Sequence, residues 1–191
     1  SSETVAAYQV AGRIDMLVFL PIFAIAGSMT TLVGMFYGAK EIDALNQIVF
    51  YGIKSAFFIT LISSLFVYLF ADTFSSFFTK DQEIINVSVG FLQLLCLVYP
   101  FVAVAITSGR VMQGLGKGLP VLVITIVRVI GISAPLAVYF SSYLHKPIEW
   151  NWYAMMIGAV TAFLIAVNWM RIELKKINNY EEDHFEPVTQ N

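Results

Sequence analysis

The sequence predicts an all-α membrane protein, a bundle of five transmembrane helices. Long apolar stretches fill most of the 191 residues, and the chain is 58% hydrophobic and only 13% charged. The mean hydropathy is +0.76, whereas soluble domains carry about 25% charged residues. Each stretch supplies the roughly 20 helical residues that cross a hydrocarbon core. Uninterrupted apolar runs favour helices over the alternating strands of a barrel.

The apolar stretches set the predicted boundaries. The five helices are expected at about 5–38, 46–71, 83–110, 118–142 and 150–176. They form one transmembrane domain over residues 1–176, followed by a polar tail over 177–191 that we expect to be frayed. Because the chain opens on Ser1 rather than Met and has an odd number of spans, we expect it to be a fragment of a longer protein.

The first helix opens with two charged residues. Arg13 and Asp15 are two positions apart, so they point to different sides and do not pair on the helix. Asp15 is the only acid clearly within a span, and an intramembrane carboxylate is a candidate for binding a proton or a sodium ion. The other interpretation is a helix-N-terminal acid that is stabilised by the macrodipole and faces headgroups.

Small residues at every fourth position predict close helix packing. The stripes are Gly52/Ala56/Thr60/Ser64 in the second helix, Ala154/Gly158/Ala162/Ala166 in the fifth, and Gly27/Thr31 with Gly34/Gly38 in the first. A compact bundle is the simplest interpretation. Surfaces that slide during a conformational change would use the same residues.

The third helix carries polar and kink-forming residues seven apart, and so on nearly one face: Asn86, Gln93, Pro100 and Thr107. Pro100 frees a carbonyl and bends the helix, which membrane proteins tolerate when neighbours or water satisfy the backbone. Because Gln93 would be costly in lipid, we expect this face to look into the bundle or a wet cavity. Interhelical hydrogen bonding alone is the alternative.

The fourth helix carries a cation close to mid-membrane. One stripe contains Thr125, Arg128, Ile132 and Pro135. A cation at that depth costs about 2.5–3.5 kcal/mol on insertion scales, so Arg128 is a functional candidate. The alternative is a structural clamp onto helix-end carbonyls or onto an acid.

Basic residues set the expected orientation. If the chain crosses the membrane five times, one side of the membrane carries these basic positions: Lys40, the loop 110–117, Arg171, Lys175 and Lys176. The other side carries Lys80 and Lys146 beside Asp81, Glu83 and Glu149. Because basic residues concentrate in cytoplasmic loops, we expect the C-terminal tail in the cytoplasm. Trp150, Trp152 and Tyr153 fit one interfacial aromatic belt and Trp169 the other.

The motifs of enzymes and metal sites are absent from the sequence. We find no paired carboxylates, no Ser/His/Asp set and no metal-ligand spacing, and the single Cys96 has no internal disulfide partner. The glycine-rich turn around Lys117 lacks the Walker spacing and its preceding strand. We therefore predict a protein that is not an enzyme, with no catalytic residue, no metal site and no nucleic-acid partner.

Several segments together carry a resemblance to a known family. They read AAYQVAGRIDMLVFLPIFAIAGSMTTLVGMFYGAKE over 6–41, VMQGLGKGLPVLVITIVRVIGISAPLAVYF over 111–140, EWNWYAMMIGAV over 149–160 and IELKK over 172–176. In order and spacing they resemble the multidrug and toxic compound extrusion (MATE) family. The likeness rests on the R-I-D element, the mid-helix proline, the Q-G-x-G loop, the arginine within a span and the tryptophan-led last helix.

The resemblance implies an architecture and a function. Members have twelve helices in two six-helix lobes around a central cavity, so the chain is expected to be the C-terminal lobe without its first helix. It implies a multi-pass plasma-membrane antiporter that exports organic, often cationic, compounds against sodium ions or protons by alternating access. No other cofactor is implied. The expected partners are the lipid bilayer, a small organic substrate and the N-terminal lobe of the same polypeptide.

The resemblance also implies site residues. Carried over by position, the candidates for the substrate or ion pathway are Arg13, Asp15, Gln93, Tyr99 and Arg128, and the candidate bending points are Pro21, Pro100 and Pro135. Some members place an acid on the helix that corresponds to 84–109, where this chain has none. Coupling would then rely on the other lobe or on Asp15.

Two other functions stay open at this point. A lipid-linked oligosaccharide or polysaccharide flippase of the same superfamily would keep the fold, and a wider, more basic cavity would favour it. A membrane scaffold that does not transport would need no partner helices. About 250 further residues with a second similar lobe would favour a transporter.

Overall fold

The computed structural model describes residues 2–140 and 150–184, and all its regular elements in these ranges are helical. In chain order they are α1 (Ser2–Gly38), α2 (Ile42–Leu69), α3 (Ala71–Ser76), α4 (Gln82–Cys96), α5 (Tyr99–Gly114), α6 (Leu119–Ile126), a π-helical segment (Val127–Ser133), α7 (Ala134–Val138) and α8 (Trp150–His184). The all-helical fold class is confirmed.

The described helices supply up to five membrane spans, in agreement with the prediction. Four are long and apolar enough to cross a bilayer alone: Val5–Gly38, Ile42–Leu69, Leu119–Val138 and Trp152–Tyr180. The fifth is the pair α4 and α5, which are bent by 55° at a short break. Many large apolar side chains face outward, for example Leu20, Ile62 and Leu164, as lipid-facing positions require.

Several predicted boundaries were wrong. The single helix expected over 83–110 is two helices, because Pro100 has no N–H to continue the α-helical pattern across the break. The fourth helix changes to π geometry at Val127–Ser133. The last helix continues to His184, so the start of the expected tail is helical. Residues 141–149 and 185–191, with Lys146, Glu149 and the end of the tail, lie outside the described residues.

The small-residue stripes of α2 and α8 are confirmed as packing faces. Every member of both stripes is buried. A Cβ added at Gly52 would collide with the side chain of Met29 on α1, and one at Gly158 would collide with Ser133. Small residues at these positions therefore let the backbones approach.

The stripe proposed for α1 was wrong. Gly27, Thr31 and Gly38 are exposed, and only Gly34 contacts another helix, where its Cβ position lies 3.5 Å from the carbonyl oxygen of Gly114. The buried face of α1 consists instead of Ala7, Ala11, Ile14, Val18, Ile22, Ala26, Met29 and Val33. Apolar side chains on all sides of this helix hid that face from the sequence pattern.

Ionic and amide contacts fasten one end of the bundle. The ammonium of Lys117, in the turn between α5 and α6, pairs with the carboxylate of Glu173 on α8. Lys176 lies 3.4 Å from the same carboxylate, and Asn46 on α2 donates to Asn178 on α8 at 3.0 Å. Glu173 is buried, so two cations compensate the charge that burial would otherwise penalise.

Candidate functional site

The break between α4 and α5 positions the first functional side chain. α4 ends at Cys96, α5 begins at Tyr99, and Pro100 occupies the first turn of α5, where a missing N–H is tolerated. The buried Tyr99 side chain packs on α1, where its ring makes an edge contact with Phe19 at a centroid distance of 5.2 Å. The break therefore determines where along α1 the Tyr99 side chain packs.

Asp15 and Tyr99 form a hydrogen-bonded pair. The phenolic hydroxyl of Tyr99 donates to the Oδ1 atom of Asp15. α1 begins at Ser2, thirteen residues before Asp15 and more than three turns away. The macrodipole acts within the first turn, so the interpretation of Asp15 as a helix-N-terminal acid was wrong. The carboxylate instead lies half-buried inside the bundle.

A cavity of about 380 Å³ opens beside this pair. Its walls come from α1, α4, α5, the π-helical segment and α8: Asp15, Phe19, Leu95, Val98, Tyr99, Val102, Arg128, Val129, Ser133, Met155 and Ala159. Most of these side chains are apolar, and the polar groups are few. A mostly apolar cavity with a small number of polar groups is typical of sites for small organic molecules.

Arg128 brings a positive charge to the same cavity as Asp15. Within residues 2–140 and 150–184, no salt bridge joins Arg128 to an acid. Arg128 also lines a second cavity of about 260 Å³, together with Arg110, Gln113 and Thr125. Its side chain therefore lies between two cavities, and its charge is available to a ligand in either.

The π-helical segment explains how Ser133 joins this site. Ser133 follows Arg128 by five residues, which in a regular α-helix turns the side chain by about 140° from it. In a π-helix the hydrogen bonds run from i to i+5, so residues five apart lie closer to the same side of the helix than they do in an α-helix. Ser133 was not among the predicted site residues, because the predicted stripe through Arg128 assumed α-helical periodicity.

The other predicted residues lie elsewhere. The guanidinium of Arg13 lies over the ring of Phe78, 5.9 Å from its centroid. Gln93 is half-buried on α4 and does not line either cavity. The break separates Gln93 from Pro100, so the common face that we predicted for these two residues does not form. Pro21 lies within the uninterrupted α1, and Pro135 is the second residue of α7, which follows the π-helical segment directly.

The side chains that commonly bind metals do not cluster among the described residues. No group of three or more His, Cys, Asp or Glu side chains there could hold a metal ion. Cys96 is a buried free thiol at the end of α4. Among the described residues that line the cavity, the polar groups are one carboxylate, one phenol, one guanidinium and one hydroxyl.

Comparisons with known proteins give a family model, curated relatives and solved structures that resemble the chain. The family model described as MatE matches residues 1–139. A probable multidrug resistance protein NorM from Bacillus cereus is 28% identical over 167 residues, which cover 86% of this chain and 37% of that protein. The chain therefore spans less than half of its relative's length.

Two solved structures share the fold. An outward-facing conformation of a multidrug resistance MATE family transporter of the MOP superfamily matches with a TM-score of 0.85 and 27% identity, over 93% of this chain and 40% of that chain. An inward-facing conformation of such a transporter matches with a TM-score of 0.82 and 26% identity, over 91% and 40%.

Proposed function

Because the chain belongs to the MATE family, we propose that the protein containing it is a secondary active efflux transporter in the plasma membrane. It exports small organic, often cationic, compounds against sodium ions or protons, and it needs no cofactor beyond the coupling ion. The names of the relatives, which describe multidrug resistance, support this proposal. The chain spans about two fifths of the length of its relatives, so we propose that transport requires the whole polypeptide.

One observation supports a role for this chain in coupling, namely the hydrogen-bonded pair of Asp15 and Tyr99 beside a cavity. A carboxylate inside a span is costly in its charged form, so it favours binding a proton or a cation when the site closes. Tyr99 keeps Asp15 oriented while leaving its second carboxylate oxygen for an ion. Asp15 is thus the proposed ion-binding residue, with Arg128 and Tyr99 on the substrate side of the same cavity.

Alternating access supplies the mechanism. Relatives of this fold occur in inward-facing and outward-facing conformations. A ligand shifts the equilibrium between two such states only when it binds one of them more tightly. The N-terminal lobe of the same polypeptide is the proposed partner, and the C-terminal end of α8 is proposed to lie in the cytoplasm with Lys175 and Lys176.

The Asp15→Asn variant tests this function in the full-length protein. In a host deficient in efflux pumps, we expect wild-type protein to raise drug resistance and the variant to lose the ion-dependent part of efflux by about tenfold or more. Asp72→Asn is the matched control, because Asp72 is an exposed acid on the short helix α3. An ion dependence that is unchanged in Asp15→Asn would reject the assignment.

A further inference from the structure

A second cavity in the bundle is lined by both charged and apolar side chains, and it is separate from the cavity that contains Asp15. A cavity of about 500 Å³ lies where α1, α2 and α8 meet. Its lining residues are Tyr37, Gly38, Lys40, Ile42, Lys176, Ile177 and Tyr180. None of them lines the cavity that contains Asp15.

The cavity lies where two candidate spans meet. Gly38 is the last residue of the first candidate span and Ile42 is the first residue of the second, so we expect the turn between them at a membrane surface. Lys117 and Lys176 share Glu173 at the same end of the bundle. This is the end that the distribution of basic residues assigns to the cytoplasm.

The turn that carries Lys40 is held in place by its own backbone. The amide of Lys40 donates to the carbonyl of Tyr37 at 3.2 Å, and the amide of Glu41 donates to the carbonyl of Phe36 at 3.0 Å. Lys40 has a φ of 59°, which is uncommon for a residue other than glycine. These bonds fix the direction in which the chain presents the lysine to the cavity.

The charged side chains that line the cavity are lysines. In the part of the chain that the structure describes, no carboxylate forms a salt bridge with Lys40, and Lys176 shares Glu173 with Lys117. Glu41 and Asp43 flank the turn, but both are exposed and neither lines the cavity. In the sequence, Glu181, Glu182 and Asp183 follow Tyr180 directly. Two ammonium groups therefore line the cavity, with no carboxylate among its lining residues.

The walls of the cavity are suited to a lipid, which has an apolar chain as well as a charged head group. Ile42 and Ile177 supply apolar surface below the ammonium groups, and Tyr37 and Tyr180 supply rings with a polar tip at the interface. Basic pockets between transmembrane helices on the cytoplasmic side bind lipid head groups. A free anion would use the lysines but would gain nothing from the isoleucines.

We propose that this cavity binds an anionic phospholipid, with its phosphate between Lys40 and Lys176 and an acyl chain along Ile42 and Ile177. The lipid would join the α1–α2 turn to α8 at the membrane surface. The site is separate from the transport pathway and does not depend on the identity of the exported compound.

Native mass spectrometry of the full-length protein in detergent tests the proposal. The probes are phosphatidylglycerol and phosphatidylcholine, and the variant is Lys40→Gln/Lys176→Gln. Each lysine near an anionic lipid surface contributes an affinity factor of about five, so the double variant should bind phosphatidylglycerol about 25-fold more weakly. Lys175→Gln is the matched control, because Lys175 is an exposed neighbour on α8 that does not line the cavity, and it should change affinity less than twofold.

Three results with the double variant, its control and the probes would overturn the proposal. These are equal binding of phosphatidylcholine and phosphatidylglycerol, an equal loss of affinity in Lys175→Gln, and saturation of the same site by millimolar inorganic phosphate. Because Lys176 also contacts Glu173, Lys40→Gln alone provides an arm that leaves that ion pair intact. The Lys40→Gln variant should bind phosphatidylglycerol about fivefold more weakly. Its melting temperature without added lipid should equal the wild-type value. Unchanged lipid affinity in this variant would also reject the site.

Discussion

The hydroxyl of Ser64 on α2 donates to the carbonyl oxygen of Cys96 at 3.1 Å. In a continuous α-helix that carbonyl would accept the N–H of residue 100, which is a proline and has none. The neighbouring carbonyls of Leu94 and Leu95 accept the amides of Leu97 and Val98 in tighter turns. A side chain from another helix thus supplies the donor that Pro100 lacks.

Ser64→Ala should destabilise the bundle at this break. Ser64 is 3% exposed, so alanine would leave a buried carbonyl unpaired, at a cost of about 1–3 kcal/mol. The melting temperature of the full-length protein should fall, and the amides of residues 97–99 should exchange faster with deuterium. Ser63→Ala, at the adjacent half-buried position, should shift stability by about 0.5 kcal/mol or less. Equal stability of Ser64→Ala and wild type would contradict the role of this bond.

Tyr99→Phe should impair transport without loss of folded protein. The ring keeps its contact with Phe19, but the donor to Asp15 is lost, and a hydrogen bond to a charged group contributes about 1.5–3 kcal/mol. We expect efflux to fall by about tenfold in vesicles at equal expression.

A double-mutant cycle separates the pair from two independent effects. Asp15→Asn/Tyr99→Phe should be no more impaired than Asp15→Asn, because both changes remove one interaction. Tyr8→Phe is the control, since Tyr8 packs its ring on Phe91 and lies on the same helix as Asp15. Losses that simply add would show that the two side chains act separately.

Arg128→Ala should abolish drug resistance or prevent folding of the full-length protein. Arg128 lines both cavities, whereas Arg110 lines only the second one and donates to Gln113 at 3.0 Å. Arg110→Ala therefore tests whether the second cavity alone accounts for the effect. Normal expression of Arg128→Ala with unchanged resistance would refute the prediction. Arg128→Lys keeps the charge but loses the planar guanidinium, so it should retain part of the activity.

Gly114→Ala should destabilise the contact between α1 and α5. An added Cβ would lie 2.7 Å from the carbonyl oxygen of Thr30 and 2.8 Å from the Cβ of Val33, so backbone would have to move. Overpacking of this kind costs about 1–3 kcal/mol. At Gly27 nothing lies within 4 Å, so Gly27→Ala should be neutral or should stabilise α1 by up to about 1 kcal/mol. Thermal unfolding of both variants checks the contrast, and equal midpoints would disprove it.

The sequence predicted the spans because their apolar length is a direct consequence of the bilayer. It also predicted the inner faces of α2 and α8, where small residues recur at every fourth position. It failed on α1, where the residues that pack, such as Ile14 and Ile22, look the same as the apolar residues that face lipid. Periodicity identifies a buried face only when the opposite face is chemically different.

The candidate site could be predicted only in part. Asp15 and Arg128 stand out because charge within a span is costly. The bond between Tyr99 and Asp15 joins residues 84 positions apart, and no local signal predicts it. The prediction for Gln93 required one straight helix over 83–110, but α4 and α5 are bent by 55° after Cys96.

The weak enclosure of the span Leu119–Val138 has a consequence for how the chain is made. Only 6% of this span is buried within the described bundle, and α8, which supplies Gly158 against the backbone of Arg128, leaves the ribosome later. Arg128 must therefore enter the bilayer before that partner exists. The mean hydropathy of 2.3, the highest among the four single-helix spans, offsets this penalty during insertion. We therefore expect the apolar residues around Arg128 to lower the cost of inserting this span.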